Sequence, residues 1–381
     1  MRTGEPATGL KAQLILHAVF AVTGIAHVIG GALMPSLSAT FQLNDGQAGM
    51  LFLLYFGGSA IGALLCRGSY VRLLSTGFLG MAVCGCGVAL ASRSLLPVAF
   101  LLFGISVGMP MSAVSMYAGR NWQQRRAAIL TLLNFTWSCG ALLSPLLAGQ
   151  VLQHHSYKAA YLVIAAVALL SSLACLLGLR ESPEPASDHA IPSGNAVLWL
   201  ILLFCLATFL QVGIENTSTA WLTTYALRSS SSGMVLAVYA TSFYWAGFLI
   251  SRGVFSFLLL QARPARVLRG ALFAALLAAA ILFAAPNPIA RAGAMLLLGA
   301  SLAPIYPLLL AGFFARARHS ADSRWILATA GFGGSVLPWT AGMISQTTGS
   351  LRMGMLVIPA ALLLIVALLP VLHGRGAAQQ A

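Results

Sequence analysis

The sequence predicts an all-α membrane protein of twelve transmembrane helices, and three observations carry that prediction. Of its 381 residues 59% are hydrophobic and only 7% charged, against roughly 25% charged in a soluble domain, so a water-facing surface cannot be assembled from them. Apolar runs of about 18 to 25 residues recur along the whole chain, each long enough to cross a hydrocarbon core of roughly 30 Å as a helix. The arginines gather in the short connections between those runs. Soluble multi-domain arrangements are thereby excluded, and the net charge of +14 reads as membrane topology rather than as a nucleic-acid footprint.

Taking the elements in order, residues 1–12 are polar, with Arg2 and Lys11, and form an N-terminal tail. The apolar run that follows extends to Pro35, longer than the roughly 7 to 15 residues of a secretory signal core, so it is expected to stay as an uncleaved first helix. Helices fit at 13–36, 47–67, 73–92, 95–118, 127–150, 157–178, 196–226, 233–260, 266–285, 289–315, 324–346 and 352–372. The six cysteines fall inside or at the ends of these runs, without zinc or disulfide spacing; they read as small core residues, and no metal or cofactor is expected.

With the N-terminus placed inside, 15 basic residues fall in the inner segments and 5 in the outer loops: Arg93, Lys158, Arg228, Arg291 and Arg352. Arg252 stands apart, near an inner helix end. This bias puts both termini in the cytoplasm, and the short loops fit a bacterial inner membrane.

The only long polar stretch between helices, 179–195, carries Pro183, Pro185 and Pro192 and three acids. It divides the chain into an N-terminal bundle, 13–178, and a C-terminal bundle, 196–372, with a last tail at 373–381. The halves match each other. Gly62-Ala63-Leu64-Leu65-Cys66-Arg67-Gly68 shares a G-x-L-x-x-R-G frame with Gly247-Phe248-Leu249-Ile250-Ser251-Arg252-Gly253. Pro145, Ala148, Gly149 and Gln153 recur as Pro338, Ala341, Gly342 and Gln346, and Gly104-x-Ser106 recurs as Gly299-x-Ser301. Three matches at offsets of 185 to 195 residues, in one order, indicate a duplicated six-helix unit. An even number of crossings leaves both copies the same way up.

These residues resemble the major facilitator superfamily over nearly the whole chain. The frame at Gly62 is similar to the loop motif that follows the family's second helix, with Cys66 where the family usually has Asp and with Tyr70 and Val71 replacing later Gly and Arg positions. Gly140-x-x-x-Ser144-Pro145 is similar to the family's helix-5 kink. Val212-Gly213-Ile214-Glu215 with Trp221-Leu222-Thr223-Thr224-Tyr225, and Ala303-Pro304-Ile305-Tyr306-Pro307, look like helices 7 and 10 of the fucose-permease and sugar-proton symporter branch. That branch is expected to carry acids in its N-terminal half, and this chain has none in the helices there. The resemblance implies two six-helix bundles around a cavity lined by helices 1, 4, 7 and 10, and secondary transport by alternating access.

Of the seven acids only Glu215 falls inside an expected helix. A charged group at mid-membrane costs about 2.5–3.5 kcal/mol on insertion scales, so such residues usually face a cavity; Glu215 is the candidate for proton coupling, set against a permanently protonated, hydrogen-bonded side chain. Gln211, Glu215 and Asn216, followed by Thr219, read as a polar stripe that either binds a hydroxyl-rich solute or ties helices together. His27, Asn134, Trp137 and Tyr306 complete the candidate binding set, each equally explicable by packing. Gly62, Arg67, Pro145 and Arg252 are candidates for gating, with close packing and snorkelling as the alternatives.

No phosphate-cradling loop occurs, and no catalytic cluster suggests an enzyme. The expected partners are a small solute, protons and the lipid bilayer, with the chain acting as a monomer and binding no nucleic acid. An exporter of amphiphilic or toxic compounds, and a solute sensor that does not transport, are the competing functions.

Overall fold

In a computed structural model, residues 9–66, 68–122, 126–181, 195–229, 234–258, 263–285, 287–316 and 324–373 are described. Arg67, most of the 179–195 linker and most of both tails lie outside them. The chain runs through α1 (Leu10–Phe41), α2 (Asp45–Leu64), α3 (Tyr70–Leu90), α4 (Leu96–Asn121), α5 (Arg126–His154), α6 (Tyr157–Gly178), α7 (Asn195–Ser229), α8 (Met234–Leu258), α9 (Pro264–Ala284), α10 (Pro288–Leu302), α11 (Ile305–Arg316), α12 (Arg324–Thr348), α13 (Leu351–Met355) and α14 (Val357–His373).

These pieces make up the twelve expected helices, two of which are interrupted. Among the described residues ten spans are long and apolar enough to cross a membrane, Pro288–Phe313 and Leu351–Leu372 each counting as one; α8 and α12, of 25 residues each, complete the set. The fold is that of an all-α membrane protein. The interruption between α10 and α11 follows from Pro304, which has no N–H to give the carbonyl of Ala300 and so breaks the ladder. Side chains from other helices take up the freed carbonyls: Ser251 Oγ donates to Ala300 O at 2.6 Å, and Gln211 Nε2 to Leu302 O at 3.2 Å. Such replacement is what a broken helix needs where water is excluded. Helix starts carry their own devices, including Pro at the first turn of α9 and α10 and an Asn287 cap that accepts from Ala290 N at 2.8 Å.

Two compact units result: Met1–Gln42 with Leu54–Pro185, and Leu43–Leu53 with Ala186–Ala381. The second unit thus includes the opening turns of α2, which departs from a division of six helices each. Within that unit Asp45 accepts two hydrogen bonds from the Arg228 guanidinium at 2.6 and 2.7 Å, Gly46 N donates to Gln346 Oε1 at 2.9 Å, and the Phe52 and Trp221 rings meet edge-on at 5.5 Å.

Inside each unit, helices cross at glycines. In the first, a Cβ on Gly24 would overlap the carbonyl of Trp137, and one on Gly140 the carbonyl of Ala21, so α1 and α5 touch backbone to backbone. In the second, Gly213 and Gly333 bring α7 and α12 together in the same manner, Gly333 against the carbonyl of Phe209. Likewise Gly104 abuts the backbone of Tyr55, and Gly299 that of Tyr244. Any side chain there would push the helices apart, which is how small residues set packing in a membrane.

Candidate functional site

The second unit holds a polar cluster among its apolar side chains, the first an aromatic enclosure around a histidine. In the second, Glu215 projects half-buried from α7, with Arg252 and Tyr244 of α8 and Tyr306 of α11 within electrostatic reach. The Arg252 guanidinium lies 4.6 Å from the Phe248 ring centroid, an arrangement that shields a cation from lipid. Arg252, a gating candidate with snorkelling as the alternative, thus lies inside α8 as part of this cluster.

The expected polar stripe on α7 divides. Gln211 and Asn216 are five residues apart, about 140° around a helix, and they go to different neighbours. Gln211, fully buried, bonds Leu302 O, and Asn216 Nδ2 donates to Gly334 O of α12 at 3.1 Å. Thr219 Oγ1 turns back to Glu215 O at 2.9 Å. The amides are thus engaged in joining helices, while Glu215 and Tyr306 share the cluster with Arg252.

In the first unit His27 sits in an aromatic enclosure, its ring centroid 5.3 Å from Phe56, 5.5 Å from Trp137 and 6.3 Å from Tyr55. The Tyr55 hydroxyl donates to Ala26 O at 2.8 Å, which pins α2 to α1 beside the imidazole. His27 and Trp137 are therefore brought together. Asn134 is exposed and its amide donates to Leu130 O of its own helix at 2.8 Å. Of the gating candidates, Gly62 meets the Ile105 carbonyl of α4, and Pro145 lies within an unbroken α5. Beside it Ser144 Oγ donates across to Ile25 O at 2.8 Å.

Sequence reasoning missed Tyr55 and Phe56 around His27, and Tyr244 beside Glu215. It also missed a repeat that was open to view: Gly24 and Gly140 recur as Gly213 and Gly333 at offsets of 189 and 193 residues, inside the window of the three matches already noted. Among the described residues no group of three or more His, Cys, Asp or Glu could hold a metal ion.

Two duplicated helical units, each with polar side chains set among membrane-spanning helices, define a membrane transporter. The family model of the Major Facilitator Superfamily matches residues 16–338, and the chain belongs to that superfamily. It is similar to the glucose/mannose transporter GlcP of Bacillus subtilis, with 24% identity covering 91% of each chain, and to a glucose/galactose transporter of Brucella abortus, with 21% identity covering 88% of this chain and 87% of the other. A shorter match, 29% identity over 40% of this chain and 38% of the other, is to a cis,cis-muconate transport protein of Acinetobacter baylyi. Among solved structures, a bacterial homologue of the human lysosomal transporter Spinster superposes with a TM-score of 0.77 at 15% identity, covering 97% of this chain and 98% of that one. The E. coli fucose:proton symporter FucP gives a TM-score of 0.61 at 18% identity, covering 94% and 98%. The protein is a secondary transporter of a small solute, an integral membrane protein and not an enzyme.

Proposed function

We propose that the solute is a sugar and that protons drive its movement through Glu215, in a bacterial inner membrane, with both termini in the cytoplasm and the chain working as a monomer. The observation that carries this reading is the grouping of Glu215 with Arg252, Tyr244 and Tyr306 in one unit. A carboxylate opposite a guanidinium in a low-dielectric interior is held strongly, and adding a proton to it removes that attraction. Arg252 and the tyrosine hydroxyls of the same cluster are groups that can hydrogen-bond a hydroxyl-rich solute. Proton uptake and solute binding are in this way coupled through one side chain, and rocking of the two bundles would expose the site to each side in turn. The sugar-transporting relatives in Bacillus and Brucella and the proton-coupled E. coli neighbour support the substrate class and the coupling ion.

The test is lumenal acidification in proteoliposomes carrying a trapped pH dye, as a panel of monosaccharides is added. Acidification by one sugar, absent in Glu215→Gln, is expected. Coupling that survives in Glu215→Gln would remove the carboxyl from the mechanism. Silence to every sugar with a response to amphiphilic cations would make the protein an exporter.

A further inference from the structure

The second unit carries a cavity of about 580 Å³ where α7, α9, α10 and α13 end or begin, lined by Tyr225, Arg228, Ser229, Phe283, Arg291 and Arg352 among others. Its volume falls in the range of sites for small molecules, roughly 300–1,000 Å³. Three guanidinium groups converge on it, yet outer loops are the segments in which a membrane protein is poorest in basic residues. In the orientation given by the charge bias, these three are three of the five outer basic residues of the chain, brought together from the ends of α7, α10 and α13.

Counter-charge for them is scarce. The chain has seven acids, and of these only Asp45 falls in an outer connection. Asp45 is already committed to Arg228, through two hydrogen bonds at 2.6 and 2.7 Å, and to Ser345 Oγ at 2.5 Å. Arg291 donates to the carbonyl of Ser229, a neutral acceptor, and Arg352 is exposed on the cavity rim. Beside them Tyr225 and Phe283 form an edge-on aromatic pair with centroids 5.9 Å apart, which adds aromatic surface to the cavity lining.

The geometry points to an oxyanion-binding site: a carboxylate or phosphate group is held by Arg291 and Arg352, with its carbon skeleton against Tyr225 and Phe283. Guanidinium groups suit such groups because their paired N–H donors match two oxygens at once. The oxyanion can belong to a free solute or to the headgroup of an anionic lipid. Arg228 is the reserve cation of the site, since Asp45 occupies it until that acid is removed.

The test uses the full-length protein in nanodiscs of phosphatidylcholine, titrated calorimetrically with inorganic phosphate at constant ionic strength. One phosphate per chain is expected, with affinity falling about tenfold in Arg352→Gln, the loss expected for a charged hydrogen bond, and further when Arg291→Gln is added. Arg352→Lys should retain part of the affinity, and Lys158→Gln, outside the cavity, all of it. Asp45→Asn should bind phosphate more tightly by releasing Arg228. In nanodiscs containing phosphatidylglycerol, loss of phosphate binding with lipid retained on the wild type but not on Arg352→Gln would identify the headgroup as occupant. Equal phosphate binding by wild type and the double variant would overturn the proposal. So would a wild type that takes up neither phosphate nor phosphatidylglycerol. Arg352 is exposed, so its substitution should leave folding intact even if Arg291→Gln does not.

Discussion

The first unit keeps His27 among Phe56, Trp137 and Tyr55, whereas the second groups Glu215 with Arg252, Tyr244 and Tyr306. Their packing is nevertheless alike, with backbone contact at Gly24 and Gly140 in one and at Gly213 and Gly333 in the other, and with a tyrosine backbone against Gly104 and against Gly299. Helix approach of that kind leaves room for nothing larger than glycine, so a duplicated unit retains it. A side chain facing the interior has no such constraint and can change its chemistry in one copy alone. The two units thus share a packing frame while differing in the side chains set within it.

The most severe way to break this comparison is to fill the glycine crossings. Gly104→Val and Gly299→Val should each yield little folded protein, since added methyls would meet backbone carbonyls that have no side-chain freedom to move, at a cost beyond the roughly 1–3 kcal/mol of ordinary overpacking. Yield of monodisperse protein by size-exclusion chromatography measures this. A tolerated Gly299→Val beside a lost Gly104→Val would mean that the interrupted helix of the second unit can yield, and that the two crossings are not equivalent.

A smaller effect separates the units at their proline positions. In the first, Pro110 stays inside an unbroken α4; in the second, Pro304 separates α10 from α11, and Ser251 and Gln211 take up carbonyls there. Cys66, which matches Ser251 in the repeated frame, reaches Met109 O at 3.8 Å with a weak thiol donor. Gln211→Leu should therefore lower stability by about 1 kcal/mol, nearer the roughly 0.6 kcal/mol average for membrane hydrogen bonds than the 1–3 kcal/mol of an orphaned group in a soluble core. Cys66→Ala should cost only a few tenths. Thermal midpoints in one detergent compare them, and equal losses would show that Gln211 does not support the broken helix.

The same residues mark what the sequence could and could not reveal. Apolar runs long enough to span a bilayer made every transmembrane helix legible, because span length and composition are local properties. The break at Pro304 was open to view as a proline between two apolar runs, but its consequence was not, since it depends on which distant side chains reach the freed carbonyls. Gln211 and Asn216 read as one stripe because both are polar and close in sequence, yet about 140° of helix rotation sends them to α10 and α12. Glu215 was legible as the lone acid in a helix. Arg252 was read as a gating candidate, with snorkelling as the alternative, and its place beside Glu215 was hidden because the charge pattern of loops says nothing about which helix faces which.

The finest test asks whether the first unit shares in proton coupling at all. His27→Phe keeps a ring of similar size among Phe56, Trp137 and Tyr55 and removes both ring nitrogens. As an enlargement by about one methylene in a buried enclosure it should cost about 1–3 kcal/mol. If the proton is carried by the second unit alone, sugar-driven acidification in His27→Phe should persist, altered only in the sugar concentration needed to reach half its rate. An imidazole can relay protons near neutral pH, so abolished acidification with sugar binding retained would give His27 a share of the coupling and remove the division of labour between the units. A change confined to half-saturation would keep His27 as part of the solute-facing enclosure and leave coupling with Glu215.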